Sequence, residues 1–350
     1  MTHSPLISVV LPLFNEEESV DELIERTVRS CITLDMSFEI IAVNDGSTDA
    51  TFQKLTALSA EYPEVRILDL FRNVGHMAAL SAGLHHVHGK AVIIMDGDLQ
   101  DPPELIPSFV EHWRNGEADI VCGKRAQRGE GRWYRLCSHV FYRLLSRASG
   151  AIIPEQVGTC CLLDRRVVDA LDTFPEKQRF FAGLRAWVGG RQVFITYERL
   201  RRKYGYSRVG GRGLIRLART AFISFSKVPL RYVSLFSLCA ALLLFFVGVT
   251  AMGIRLFTDL AIPGWATFTM LIGFVGFVQS LVLAVMAEYI AVIFDETKAR
   301  PLYLIRQEIR NGYPISETLP SSGSLETTAC AESQRMQIRQ EEVCTADVGT

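Results

Sequence analysis

Two aspartates separated by one glycine, Asp96 and Asp98, directly follow the apolar residues 92–95. Such a run is typical of a buried strand, and open α/β sheets bind ligands at the carboxyl ends of their strands. Two hard oxygen donors at this spacing, with Gly97 allowing close backbone approach, can hold Mg²⁺ or Mn²⁺ in a partial shell that phosphate oxygens complete. The alternative is a solvated acidic turn ended by Pro102. The neighbouring segments favour the cation site.

Strands and helices alternate through the first part of the chain, and this alternation must position the two aspartates. We predict strands at 7–11, 38–43, 65–70 and 91–95, separated by helices at 16–31, 49–61 and 77–86. Short loops between such elements imply a parallel sheet with right-handed crossovers. Every loop that follows a strand then lies on one edge of the sheet, so these loops converge on one crevice. They are Phe14-Asn15-Glu16, Asp45-Gly46-Ser47, Arg72 to Gly75 and Asp96 to Asp98.

This edge lacks the common glycine-rich phosphate loops. There is neither a G-x-G-x-x-G fingerprint nor a P-loop, so anionic phosphates would need a metal. The carboxylates of Glu16 and Asp45 could accept hydrogen bonds from ribose hydroxyls or from a base N–H. Alternatively, Asp45 and Asp49 are turn and N-cap residues. We assign ligand binding to Asp45 and capping to Asp49.

Composition limits the class of protein. With 350 residues, 49% of them apolar, the chain can form one large or two ordinary domains. Its N-terminus lacks a secretory signal, so the first domain is expected in the cytosol. The eight cysteines show no C-x-x-C spacing and are expected to be free thiols. His85, His86 and His88 fit a helix C-terminus better than a metal site.

The second half of the chain has the features of a membrane protein. Residues 232–254 and 262–287 each lack Asp, Glu, Lys and Arg and are long enough to cross a hydrocarbon core of about 30 Å. Residues 211–231 form a basic amphipathic pattern suited to an anionic membrane interface. Basic residues precede the first span and follow the second, whereas the connecting loop has only Arg255 and Asp259 as charged residues. This predicts a multi-pass inner (plasma) membrane protein with both termini in the cytoplasm. Residues 288–313 are expected to be a cytoplasmic juxtamembrane segment, and residues 314–350 a disordered tail.

Five motifs together resemble a known family. They are Pro12 to Glu17 (PLFNEE), Asn44 to Asp49 (NDGSTD), Arg72 to Gly75 (RNVG), Asp96 to Glu104 (DGDLQDPPE) and Ser226 to Arg231 (SKVPLR). This combination is similar to the polyprenyl-phosphate glycosyltransferases, inverting family 2 enzymes that include dolichol-phosphate mannose synthase and the bactoprenol glucosyltransferases. The resemblance covers about residues 6–310. It implies an α/β fold of glycosyltransferase A type, with a Rossmann-like, mostly parallel sheet in a catalytic domain over residues 1–210, followed by amphipathic interface helices and a two-helix transmembrane hairpin.

The resemblance also implies substrates and partners. A sugar, with UDP-glucose the leading choice, would move from a nucleotide-diphosphate sugar to undecaprenyl or another polyprenyl phosphate on the cytoplasmic face. Mg²⁺ or Mn²⁺ is the expected cofactor, and a flippase and a downstream transferase are the expected functional partners. Gly248, Gly273 and Gly276 form a small-residue pattern compatible with a homo-oligomer. Lipid headgroups explain the ten Lys and Arg residues of 199–231, so no nucleic-acid partner is expected.

Site residues follow from the resemblance by position. Those implied for catalysis are Asp98, Gln100, Arg202 and Arg208, with Asp96 and Asp98 as metal ligands. The nucleotide-sugar would contact Pro12, Phe14, Glu16, Asp45, Asp96 and Ser207, together with Arg125 and Arg128 in a loop predicted to be mobile over 124–131.

The chain departs from the family pattern at two places. Thr159 and Cys161 stand where the bactoprenol branch commonly has Asp and Arg, and His76 stands where relatives often have Lys or Gln. A phosphate monoester is already largely anionic at neutral pH, so it can attack the sugar without a general base. The reaction mainly needs its negative charges stabilised. We therefore expect the changes at Thr159 and Cys161 to alter sugar choice or acceptor placement rather than abolish transfer.

Two other functions remain open. A processive polysaccharide synthase of the same superfamily would need a general base and a channel, and Arg185-Ala186-Trp187 lacks the glutamine of a Q-x-x-R-W motif. A non-catalytic membrane subunit that binds nucleotide-sugar or lipid is the second alternative. The intact pair Asp96 and Asp98 argues against it.

Overall fold

The computed structural model describes residues 5–126, 157–174, 181–198, 264–298 and 300–315, with residue 176 and scattered positions between 233 and 250. Its contacts divide the chain into two compact units. The first unit contains Met1–Lys90, Met95–Asp98 and Arg300–Thr350, and the second contains Ala91–Ile94 and Leu99–Ala299.

The first unit alternates strands with helices, as predicted. Its elements are β1 (Ile7–Leu13), α1 (Val20–Ile32), β2 (Phe38–Asn44), α2 (Thr51–Glu61), β3 (Val65–Leu70) and α3 (His76–His85). Strand β2 pairs in parallel with both β1 and β3. All three strands are buried along nearly their whole length and are mostly apolar, with Glu39, Arg66 and Asp69 as buried charged exceptions.

Helix α3 lies very close to the strands because its packing face is made of small residues. A Cβ atom on Gly83 would lie 2.3 Å from Cγ1 of Val10 and 3.1 Å from Cγ2 of Val43. Ala78, Ala79 and Ala82 are buried on the same helix. The close contact fixes the start of α3 just beyond the carboxyl end of β3.

Residues from the far end of the chain complete the first unit. Strand β8 (Ile305–Arg310) pairs antiparallel with β3, and β9 (Tyr313–Ile315) pairs antiparallel with β8. Asn311 and Gly312 form the turn between them, both with positive φ. The segment predicted only as juxtamembrane thus contributes two strands, and β9 extends to Ile315, inside the region predicted to be disordered, because hairpin pairing satisfies its backbone.

A buried charged cluster joins β8 to β3. Arg66 donates from Nη1 to Oε2 of Glu39 at 2.8 Å and from Nη2 to Oε1 of Glu308 at 2.7 Å. Each of these side chains is at most 10% exposed. Glu39 also accepts hydrogen bonds from the Ser8 hydroxyl and the His88 backbone N–H. Burial alone raises the pKa of Glu39, but these hydrogen bonds and the Arg66 charge hold it below its ordinary value of 4.5.

Arg66→Met is expected to lower the free energy of unfolding by about 3–5 kcal/mol at pH 7, because it leaves two buried carboxylates without their cation. In the native protein Glu39 has a lowered pKa, so its contribution to stability is present above pH 4.5 and is lost as pH falls through the folded-state pKa. Unfolding midpoints measured against pH should therefore converge for the two proteins in acid. Arg29→Met, at an exposed pair with Glu25, is the control and should cost less than about 1 kcal/mol. An equal loss in both variants would contradict the prediction.

The second unit contains β4 (Ala91–Ile94), α4 (Ile106–Arg114), β5 (Ile120–Arg125), β6 (Val157–Asp164), α5 (Arg165–Asp172), α6 (Phe181–Val188) and β7 (Gln192–Tyr197). Strand β6 pairs antiparallel with β4 and with β5, whereas β5 and β7 are parallel. The predicted α/β fold with a mostly parallel sheet is confirmed, with antiparallel partners at β6, β8 and β9. Arg125 was predicted in a mobile loop, but it is the last residue of β5 because its backbone pairs with Tyr197.

A long apolar helix, α7 (Trp265–Thr297), follows in the second unit. Its segment Leu271–Phe294, with a mean hydropathy of 2.1, is the one stretch in the described ranges long and apolar enough to cross a membrane. It overlaps the span predicted at 262–287 but lies further towards the C-terminus. The span predicted at 232–254 is described only at scattered positions, so the described residues do not support the two-helix hairpin. The amphipathic helix predicted at 211–231 lies outside them.

Candidate functional site

The loops after β1 and β2 are joined by hydrogen bonds within the first unit. The Asn15 N–H donates to Oγ of Ser47 at 3.0 Å, and the Asn15 side-chain oxygen accepts from the Thr48 N–H at 2.8 Å. The Glu16 N–H donates to Oγ1 of Thr51 at 2.8 Å. Asn15 has a φ of 52°, a left-handed conformation that asparagine tolerates. These bonds fix Glu16 beside the loop that follows β2.

Asp45 anchors the loop after β3. Its Oδ1 accepts from the Val74 N–H at 2.7 Å, and its Oδ2 accepts from the Gly75 N–H at 3.0 Å. Asp45 is buried, and burial raises its pKa despite these two hydrogen bonds and nearby His76. Asp45 thus stabilises a loop, a structural role close to the turn role that was the alternative to ligand binding. Its remaining lone pairs can still accept hydrogen bonds from a ligand.

Asp49 was predicted to be the N-cap residue; Ala50 holds that position in α2, and Asp49, one residue earlier, accepts hydrogen bonds at the start of the helix. Its Oδ1 accepts from the Thr51 N–H at 3.0 Å, and its Oδ2 accepts from the Glu17 N–H at 3.2 Å. One carboxylate therefore satisfies donors at the starts of two neighbouring segments.

Gly46 lets the loops after β2 and β3 touch. Its φ is +62°, and a Cβ atom there would lie 2.5 Å from the carbonyl carbon of Arg72 and 2.6 Å from the nitrogen of Asn73. Both neighbours are backbone atoms and cannot rotate away. Only glycine fits this position without moving a loop.

The segment Asp96–Asp98 packs directly on the end of β1. The Ser19 hydroxyl donates to the carbonyl of Gly97 at 3.2 Å. A Cβ atom on Gly97 would lie 2.4 Å from Cδ2 of Leu13 and 3.2 Å from the carbonyl oxygen of Pro12. Glycine is therefore required here for packing against β1. The close approach of its backbone to a cation stays a prediction.

The start of α3 meets this segment. Nε2 of His76 lies 3.5 Å from Oδ1 of Asp96. Within the described ranges, no group of three or more His, Cys, Asp and Glu side chains could hold a metal on its own. Asp96 and Asp98, both half-buried, fit a divalent cation as a partial set of oxygen ligands that a bound diphosphate would complete.

The second unit contains a buried polar cluster formed by Asp101, Tyr197 and Arg125. The Tyr197 hydroxyl donates to Oδ1 of Asp101, and Nη2 of Arg125 lies 3.9 Å from Oδ2 of Asp101. Burial and the neighbouring Asp101 raise the pKa of Tyr197, which keeps the hydroxyl a donor. Asp101 is fully buried, whereas the Arg125 side chain is 29% exposed. The cluster therefore holds Arg125 in place while leaving part of its side chain exposed to solvent.

Comparison with known proteins defines the family. The model of glycosyl transferase family 2 matches residues 8–172. An uncharacterized glycosyltransferase from Synechocystis sp. is 37% identical over 306 residues, which cover 85% of this chain and 94% of the relative. The chain belongs to glycosyltransferase family 2. The bactoprenol glucosyl transferase of Shigella phage SfX is 39% identical over 302 residues, covering 86% of this chain and 98% of the relative. A prophage bactoprenol glucosyl transferase homolog of Escherichia coli K12 is 38% identical over 303 residues, with the same coverage.

The site residues predicted for this family 2 glycosyltransferase fall into three groups. Six of them lie at one edge of the sheet in the first unit: Pro12, Phe14, Glu16, Asp45, Asp96 and Asp98. The second unit contains Gln100 and Arg125. Arg128, Arg202, Ser207 and Arg208 lie outside the described residues.

Sequence reasoning missed two groups that the structure of the transferase adds. Asp101 was noted only as part of the DGDLQDPPE motif, and Tyr197 was not singled out. A carboxylate next to two prolines, where a buried strand ends, is a signal that could have singled out Asp101.

Leu99, which follows Asp98 in this motif, has a φ of 57°, which costs a branched residue about 1–2 kcal/mol. Such strain is common at functional sites.

Proposed function

We propose that this transferase moves a sugar from a nucleotide-diphosphate sugar to a polyprenyl phosphate. The observation that carries the proposal is the edge of the first unit, where the loops after β1, β2 and β3 are bonded together beside Asp96 and Asp98. Relatives named bactoprenol glucosyl transferase, 38–39% identical over 98% of their length, support the lipid acceptor and favour UDP-glucose as the donor. Pro12, Phe14 and Glu16 would line the nucleoside pocket.

Asp96 and Asp98 would hold the divalent metal. Bound Mg²⁺ or Mn²⁺ supplies charge stabilisation for the departing nucleoside diphosphate. The two carboxylates would hold this cation at the edge of the first unit, and Asp45 maintains the loop after β3 through its bonds to Val74 and Gly75. Gln100 follows in sequence and is proposed to contact the sugar or the acceptor.

The acceptor phosphate is proposed to react without a general base. Its second pKa is near 6, so it is largely dianionic at neutral pH. Its oxygen attacks C1 of the sugar as the bond from C1 to the nucleoside diphosphate breaks, which inverts the configuration. Cations must bring these anions together. Arg125 is the described candidate, and Arg128, Arg202 and Arg208 are proposed to share this role. Ser207 is proposed to donate a hydrogen bond to a phosphate oxygen.

The first unit gives a physical argument for more than one membrane span. Residues on the C-terminal side of α7 pair with β3, which lies on its N-terminal side in the chain. If Leu271–Phe294 crosses a bilayer, the chain must cross it an odd number of further times between β3 and α7. Residues 232–254 are the apolar segment available for this. We therefore propose two spans, with the catalytic domain and both termini on the cytoplasmic face of the inner membrane.

A lipid-linked sugar is an intermediate, so other proteins must use it. We propose a flippase that moves it across the membrane and a second transferase that passes the sugar to a cell-envelope glycan or lipid. A homo-oligomer built through the spans is also proposed, from the small residues Gly248, Gly273 and Gly276.

The proposal predicts a defined product. The full chain in detergent, given undecaprenyl phosphate, Mg²⁺ or Mn²⁺ and a panel of radiolabelled UDP- and GDP-sugars, should form one labelled lipid. Chelation with EDTA should remove the product, because without the divalent cation the two aspartates would repel the diphosphate instead of helping to bind it. Undecaprenol, which has the chain but not the phosphate, is the matched control and should remain unlabelled.

Two results would reject the proposed function. The first is labelling of undecaprenol as readily as its phosphate, which would show that the acceptor phosphate is not the nucleophile. The second is tight binding of nucleotide without product from any donor, which would favour a non-catalytic subunit.

A further inference from the structure

Arg185, on α6 of the second unit, is a buried arginine with unusual contacts. The residue is 1% exposed, which makes it one of the largest fully buried side chains among the described residues. Its Nη1 donates to the carbonyl oxygen of Gly158 at 3.3 Å, and its guanidinium also hydrogen-bonds to the sulfur of Cys161. The guanidinium carbon lies 5.8 Å from the centre of the Phe181 ring. Arg185 thus contacts strand β6 at Gly158 and Cys161.

The charge of Arg185 is not neutralised by its described contacts. They are a carbonyl, a thiol and an aromatic ring, and no described carboxylate hydrogen-bonds or ion-pairs with it. Burial raises the pKa of nearby Cys122 to about 12, so that thiol is neutral at physiological pH. A guanidinium keeps its proton, and burying an uncompensated charge is expensive. An apolar side chain would be buried here without this free-energy cost, so the charge of Arg185 is expected to have a function.

The same stretch of β6 lies against a second guanidinium. A Cβ atom on Gly158 would lie 2.7 Å from Nη2 of Arg125, so Arg125 packs over this glycine while Arg185 holds its carbonyl. Asp101 pairs with Arg125, whereas no carboxylate in the described ranges pairs with Arg185. Gly158 and Thr159 are themselves half-exposed. An anion that approaches them therefore lies close to two guanidinium groups and in their positive field.

We propose that Arg185 is a positioning residue for the acceptor phosphate, fixing the Gly158–Thr159 segment and supplying the positive charge behind it. This inference rests on the proposed function. It also accounts for a departure from the family pattern, since the arginine expected at Cys161 on β6 is replaced by one that reaches the Cys161 sulfur from α6. The guanidinium is kept, and only the element that carries it has changed.

Three variants of the full chain test this role. Arg185→Met keeps the length of the side chain but removes its charge. Arg185→Lys keeps the charge but cannot hold the carbonyl and the sulfur together. Arg185→Met combined with Cys161→Arg returns a guanidinium from the other element. Arg191→Met, at an exposed arginine paired with Asp119 in the same unit, is the matched control.

The expected effect is on the acceptor. Arg185→Met should raise the KM for undecaprenyl phosphate at least tenfold and weaken equilibrium binding of farnesyl phosphate by a similar factor, while UDP affinity changes less than twofold. Arg185→Lys should lie in between. The double variant should recover both acceptor values to within about threefold of wild type, and Arg191→Met should match wild type throughout.

A purely structural role predicts a different pattern. Equal losses of acceptor binding, UDP binding and thermal stability in Arg185→Met, with no recovery in the double variant, would overturn the inference. So would unchanged farnesyl phosphate binding in Arg185→Met. If that variant does not fold, acceptor values for Arg185→Lys equal to wild type would overturn it. A wild type that binds farnesyl phosphate through Arg185 but transfers no sugar would reject the proposed function and leave this inference standing.

Discussion

Asp98→Asn should lower the rate of sugar transfer about a thousandfold at saturating donor and acceptor. The substitution keeps the size of the side chain but removes one of two charged oxygen ligands, and a catalytic metal contributes several kcal/mol of transition-state stabilisation. Nucleotide binding should lose its dependence on Mg²⁺ or Mn²⁺ in the same variant. Transfer rates with radiolabelled donor and calorimetric titrations of UDP, with and without metal, measure the two effects.

Asp21→Asn is the matched control for this experiment. Asp21 is an exposed carboxylate in the first unit, paired with Lys54 at 2.6 Å, so its loss should change the transfer rate less than twofold. If Asp98→Asn kept a tenth of the wild-type rate, or if its UDP binding still required metal, Asp98 would not be a metal ligand.

Gly46→Ala is expected to damage both stability and activity. The added methyl group would lie 2.5 Å from the backbone of Arg72, and the φ of +62° already disfavours an L residue. The left-handed conformation costs about 1–2 kcal/mol, and forcing an atom into packed backbone typically adds about 1–3 kcal/mol. Relief requires the loop after β3 to move, which displaces Val74 and Gly75 from Asp45. Transfer should fall at least tenfold.

Gly116→Ala separates the cost of the left-handed backbone conformation from the cost of the clash with the loop after β3. Gly116 has nearly the same φ, +69°, but no atom within 4 Å of the added methyl group. This variant should lose only the conformational part of the stability and should transfer sugar at close to the wild-type rate. Thermal unfolding and transfer rates of both variants make the comparison. Similar unfolding midpoints for the two would show that loop contact at Gly46 is not needed.

The parallel part of the fold could be predicted because its physical signals are local. Strands β1, β2 and β3 are buried on both faces and are therefore mostly apolar, although Glu39, Arg66 and Asp69 interrupt the pattern. The convergence of their loops then follows from the geometry of parallel strands. Tight packing at Gly97 could be anticipated too, because glycine has no Cβ atom and its backbone can approach other groups closely.

Strands β6, β8 and β9 were missed for different reasons. Strand β6 lies in QVGTCCLLD, whose glycine, threonine and cysteines were compared with a family motif rather than assessed for strand formation. The β8–β9 hairpin did have a readable signal, because Asn311-Gly312 is a favoured two-residue turn between strands. Its pairing with β3 could not be predicted, since nothing local in residues 305–310 identifies a partner so distant in the sequence.

The roles of buried polar residues were the least predictable part of the site. Asp45 was correctly singled out, but its bonds to Val74 and Gly75 depend on how two loops approach in space. Arg185 was noted only for an incomplete motif. Its contact with Gly158 joins a helix to a strand, and no spacing along the chain indicates such a contact.

The return of β8 to β3 also determines the order in which the protein can mature. A ribosome synthesises β3 early but releases β8 only after α7 has been made. Until then the nascent first unit has an open strand edge, which is prone to incorrect pairing, and Arg66 lacks the carboxylate of Glu308. The unit that holds the two aspartates is therefore completed last, and a chain that stalls before residue 305 never acquires its final strand.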